Sequence, residues 1–114
     1  MANTFLSETD ASIGTSPATV FTCPSATQST IIGLSVANRT AAQILVDVQL
    51  DASGRTSGAE DSVYLVKDAP VPAGSSLVVI GGDQKVVMEP GDDIVVTSDT
   101  ASSADVVLSH LDIT

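Results

Sequence analysis

The sequence predicts an all-β protein, an antiparallel β-sandwich of about eight or nine short strands, with a jelly roll among the windings that such a pattern allows. Three observations predict it. Fifteen valines and 27 serines and threonines in 114 residues suit a pleated, half-buried surface. Apolar and polar residues alternate with a period of two. Glycine, proline, asparagine and aspartate punctuate the chain every 8–12 residues or so, which is turn spacing for short strands. No window carries apolar residues at helical spacing behind a capping residue, so helices are not expected.

Taken in order, an extended N-terminal piece around Thr4–Glu8 comes first, followed by a short run at Thr19–Cys23. Thr30–Asn38 alternates, with Ile32, Leu34 and Val36 facing in and Gly33 and Ser35 facing out. In Ala42–Asp51, Ile44, Val46, Val48 and Leu50 share one face and Asp47 and Gln49 the other. Further strands are expected at Asp61–Lys67, Ser76–Ile80, Lys85–Glu89, Asp92–Ser98 and Ala104–Ile113. The expected core is Val20, Ile32, Leu34, Val36, Ile44, Val46, Val48, Leu50, Val63, Leu65, Ile94, Val96, Val107 and Leu111.

The separators specify turns. Gly81-Gly82-Asp83-Gln84 reads as a tight hairpin between two apolar runs, since glycine supplies positive φ. Pro90-Gly91 fits a type II turn, proline presetting φ and glycine following. Asn38-Arg39-Thr40 is a short connection that also matches a glycosylation sequon. Asp51–Asp61 is the one long loop, and its small polar residues predict mobility.

Length and pattern give one domain, residues 13–114, preceded by residues 1–12 as an arm or a first strand. A chain of this size hides roughly 65% of its unfolded surface, enough for a core without metal or disulfide. The N-terminus has neither a basic region nor a long apolar run, so no signal peptide is expected, and no apolar stretch is long enough for a transmembrane helix. The net charge of −10 argues against nucleic acid, whose binding rests on Lys and Arg, and against anionic membranes. It suits an acidic surface that keeps an apolar-rich chain soluble.

Catalytic signatures are missing. Cys23, the single cysteine, lies in the apolar stretch Val20-Phe21-Thr22-Cys23 with no cation nearby in sequence, and reads as a small buried hydrophobe. His110, the single histidine, shares a face with Val106 and Leu108 and reads as packed. No Gly-x-Ser-x-Gly motif is present. Asp92, Asp93 and Asp99 lack calcium-loop spacing and read as a surface carboxylate cluster. Three aromatics, Phe5, Phe21 and Tyr64, are too few for a base-stacking or sugar-stacking platform. The expectation is no enzyme, no cofactor and no metal.

One pattern departs from a monomeric sandwich. Leu77–Ile80, Val86–Met88, Ile94–Val96 and Val106–Leu108 are continuously apolar, where a sheet with one wet face should alternate. Self-association, as a trimer or dimer, would cover the second face. Val78, Val87 and Val95 are the candidate contacts on these runs, together with Phe5 and Leu6, two adjacent large apolar groups near the chain start.

Three stretches also carry a resemblance: Gly14–Pro24, Ile31–Asn38, and the region from Tyr64 through Gly81-Gly82-Asp83-Gln84-Lys85 and Pro90-Gly91-Asp92 to Asp105–Ser109. Together they resemble small all-β virion structural proteins of tailed bacteriophages, including phages of aquatic bacteria and cyanobacteria. The resemblance implies a capsid cement or decoration subunit that binds across capsomer seams of the head. Its partners would then be the major capsid protein or other virion proteins, and its location the virion, assembled in the host cytoplasm. The alternatives are a neck, tail or baseplate component and, in a different class, a receptor- or glycan-binding module. The group has no catalytic residues to carry over.

Overall fold

The computed structural model describes residues 3–55 and 61–114. Nine strands appear in it: β1 (Asn3–Ile13), β2 (Ala18–Thr22), β3 (Gln28–Asn38), β4 (Ile44–Asp51), β5 (Ser62–Val71), β6 (Ser76–Ile80), β7 (Val86–Met88), β8 (Asp93–Ser98) and β9 (Ala104–Ile113). They form two antiparallel sheets, ordered β1-β9-β3-β6 with β7 also on β3, and β2-β8-β4-β5. Partners are nested in the chain, β1 with β9, β2 with β8, β3 with β6 and β4 with β5, which is the winding of a jelly roll.

The fold is therefore the all-β sandwich that composition and alternation predict. Leu34, Val36, Ile44, Val46, Val48, Ile94 and Val96 are buried between the sheets as expected, while Val20, Leu50 and Leu65 pack half-buried at the rim. Four expected core residues face elsewhere. In β3 the register slips between Ile31 and Gly33, so Ile31 is fully buried and Ile32 only half-buried. A bulge of this kind adds one residue and reverses the phase of alternation. In β9, Val106, Leu108 and His110 take the inner face, leaving Val107 exposed and Leu111 half-buried. Val63 is the second residue of β5, an edge strand, and is exposed for want of a neighbour on one side.

Gly81–Gln84 is not a hairpin. β6 and β7 do not pair with each other; both lie antiparallel along β3, β6 against Leu34–Ala37 and β7 against Ser29–Ile31. Residues 81–85 are an excursion within one interrupted edge strand, turned by Gly82 at φ +62° and closed by Gln84 N–H donating to Gly81 O. At Pro90-Gly91 the expected turn is present. Gly91 has φ +91°, and Asp92 N–H donates to Glu89 O at 3.0 Å. The N-terminal residues 3–13 form β1, paired with β9 nearly throughout. The central part of the long 51–61 loop, residues 56–60, lies outside the described residues, and with it the expectation of mobility there.

Candidate functional site

Strand register sorts the exposed apolar residues onto faces. Side chains alternate across a strand, so residues paired in register share a face. On the outer face of the five-stranded sheet, one cross-strand row runs Phe5–Leu111–Thr30–Val87, and a second runs Thr9–Val107–Ser35–Val78. A serine row, Ser7–Ser109, lies between them. Phe5 is 72% exposed, Val78 66%, Val87 59% and Val107 43%. These are the large exposed apolar groups of the described residues on this face, and all sit in the two rows.

Charge is sparse here: Lys85 and Glu89 flank Val87 just outside β7, Glu89 lying 3.1 Å from Arg55. Asp105 lies in the next row, Asp105–Ala37–Ser76, and is held by Arg39 at 3.3 Å and by the Ser12 N–H at 3.0 Å. The outer face of the four-stranded sheet is different. Asp47, Asp51 and Asp93 point outward there, flanking Gln49, Thr97 and Tyr64. Lys67 sits 3.4 Å from Asp47, and its ammonium lies 5.2 Å from the centre of the Tyr64 ring. The Asp47 hydrogen bond, followed by the charge attraction of Asp47 and Asp68, pushes the Lys67 pKa up.

Of the five contact candidates from sequence, Phe5, Val78 and Val87 therefore come together. The other two separate from them. Leu6 pairs with His110 and so belongs to the inner side of edge strand β1, although it is 44% exposed. Val95 lies on β8 in the other sheet, half-buried between Thr19 and Gln49. Val107 and Leu111 complete the face. Both are expected in the core because Val106-Val107-Leu108 is apolar at every position, and the inward His110 fixes the opposite phase.

Behind this face a polar network ties β1 to the interior. His110 is fully buried and stacked on Phe21, with ring centres 4.1 Å apart. Its Nδ1 lies 2.7 Å from Asp112 Oδ1 and its Nε2 3.0 Å from Glu8 Oε2 on β1. Ser29 donates to the same Asp112 oxygen at 2.6 Å, and Cys23 Sγ lies 3.4 Å from Ser29 Oγ. Burial pushes the Cys23 thiol pKa up, with the Ser29 hydrogen bonds opposing.

Beside Cys23, whose backbone N–H donates to Asp92 O at 2.9 Å, Asp92 is itself buried rather than part of a surface cluster. Arg55 grips it with Nε at 3.1 Å and Nη2 at 2.5 Å, and Glu89 N–H donates to it at 3.0 Å. The hydrogen bond to Asp92 raises the Arg55 pKa. Asn38, the sequon residue, is also buried, its amide donating to Ala42 O, Val71 O and Pro72 O, while its carbonyl accepts from Thr40. A sugar attached at that nitrogen would displace all three carbonyls. Among the described residues, no group of three His, Cys, Asp or Glu side chains is placed to hold a metal ion.

The fold is similar to that of a solved chain from Bacillus endospore appendages, described as forming a novel family of disulfide-linked pili. The match covers 100% of this chain and 91% of that one, with a TM-score of 0.51 and 12% sequence identity. At that identity the likeness is one of fold. No protein-family model and no curated protein matches the sequence.

Proposed function

We propose that this chain is a structural subunit of an extracellular particle, without catalytic activity, that joins its neighbours by burying the outer face of the five-stranded sheet. The observation that carries this reading is that Phe5, Leu111, Val87, Val107 and Val78 gather in two rows, with little charge beside them, on one face of a chain whose net charge is −10. Contiguous exposed apolar surface on a soluble domain marks a contact site. The likeness to a chain from an appendage supports a repetitive structural role at the level of fold, which is an analogy.

In its most specific form the proposal is a capsid cement or decoration subunit of a tailed bacteriophage. Such a subunit adds buried area across capsomer seams and opposes the pressure of packaged DNA with no reaction. Its contacts would be non-covalent, unlike the disulfide links of the appendage pili. Cys23, the single cysteine, is 1% exposed and inside the sandwich.

The test is the copy number of the chain in purified particles, by quantitative mass spectrometry against the major capsid protein. A ratio near one, or near one per few capsid subunits, is expected of cement. A dozen or so copies would move the chain to the neck or tail, and absence from clean particles would end the virion reading.

A further inference from the structure

We infer that the outer face of the five-stranded sheet takes a second copy of this chain, so that two sandwiches pack sheet against sheet about a two-fold axis. This rests on the reading of that face as the contact surface and names what covers it.

Charge selects the occupant. A basic partner would be drawn to the other sheet, where Asp47, Asp51 and Asp93 point outward. Two copies of a −10 chain repel wherever acidic surfaces meet, so they approach best through the face where charge is sparsest. The rows built on Phe5, Leu111, Val107 and Val78 form that face, and Asp105 beyond them is already paired with Arg39.

Shape agrees. A two-fold axis along the strands, between the two sheets, exchanges left and right within each row. It sets Phe5 over the second copy's Val87, Leu111 over its Thr30, Val107 over its Ser35 and Val78 over its Thr9. In each row the larger apolar side chain meets a smaller one, the pattern of an isologous contact. Aligned sheets pack in this way about 10 Å apart. The area is adequate too. Four strand positions at about 4.8 Å and about ten residues at 3.3 Å give a projection on the order of 600 Å². A corrugated face exceeds its projection, which brings it near the roughly 800 Å² per partner of a standard stable interface.

Sedimentation velocity of the purified full-length chain over a concentration series tests this. The expected result is a species of twice 11.5 kDa that dissociates on dilution. Added salt should strengthen it, because screening relieves the repulsion between copies. Val78→Asp and Val107→Asp should each weaken the pair by roughly tenfold or more. Both positions are exposed, so melting and circular dichroism should match the parent. Tyr64→Ala, on the other sheet, should leave the pair intact. A mass of 11.5 kDa at every concentration, a trimer, or a pair lost in Tyr64→Ala but kept in both aspartate variants would each overturn the inference. A dimer from a chain that is absent from particles would keep this inference and reject the virion reading. A monomer abundant in particles would do the reverse.

Discussion

Arg55 and Asp92 form a two-point clasp, Nε to Oδ1 at 3.1 Å and Nη2 to Oδ2 at 2.5 Å, between the loop after β4 and the turn before β8. Asp92 is buried, so losing Arg55 strands a carboxylate inside the protein. Arg39 and Asp105 are both about half exposed, side-chain exposure being 46% for each, and an ion pair of that kind contributes little. Arg55→Ala should therefore lower the melting temperature clearly more than Arg39→Ala. Equal effects, measured by calorimetry, would mean that the Asp92 site is open to water.

The same clasp needs two glycines. A Cβ on Gly91 would lie 2.6 Å from Gly54 O, and one on Gly54 would lie 2.9 Å from Gly91 O. Gly91 also has φ +91°, which an L side chain adopts at a cost of about 1–2 kcal/mol. Gly91→Ala should be the more destabilising of the two alanine variants in urea melts, because it bears both penalties. Gly74→Ala, with positive φ but open space around it, should suffer only the conformational one.

Cys23 should resist alkylation in the native protein and react fully once unfolded, since it is buried and its thiol pKa is raised. The raised value sets a sign for pH as well. The folded state holds the thiol proton more tightly, so stability is full below the ordinary cysteine value, about 8.5, and declines as pH rises above it toward the folded value. A thermal scan across that range should show the decline, and Cys23→Ala should remove this part of it. Rapid native labelling at pH 8 would contradict the burial of this sulfur.

His110→Ala should destabilise the fold by about 3 kcal/mol, through a lost buried ring and the hydrogen bonds to Asp112 and Glu8. The loss should be accompanied by faster amide exchange along β1, because Glu8 is the β1 side chain that reaches His110. A wild-type exchange pattern on β1 in that variant would separate the network from the strand.

Sandwich class and strand positions were legible because alternation is a local property, as in Ile44-Leu45-Val46-Asp47-Val48, but only the part of the core on such runs was; Ile31, Val71, Ile80, Met88, Val106 and Leu108 are buried without having been expected there. Phase was not legible where every residue is apolar, at Val106-Val107-Leu108, or where a bulge adds a residue, at Ile31-Ile32-Gly33. The excursion at 81–85 carries the glycines of a hairpin, and only the shared pairing of β6 and β7 with β3 tells them apart. Phe5, Val78 and Val87 were readable as exposed apolar residues. Their meeting on one face depends on the nested strand order, which no local pattern contains. Asp92 and Arg55 are 37 residues apart, and their pairing left no sequence signal.

Phe5 and Tyr64 are exposed aromatics on opposite sheets, which allows the contact face to be read within one molecule. Hydroxyl-radical footprinting would compare the chain in assembled particles with the chain diluted to monomer. Burial of the five-stranded sheet's outer face predicts that Phe5 and Leu111 lose most of their labelling on assembly, whereas Tyr64 keeps its own. Protection of Tyr64 with Phe5 still labelled would place the contact on the acidic face and contradict the account.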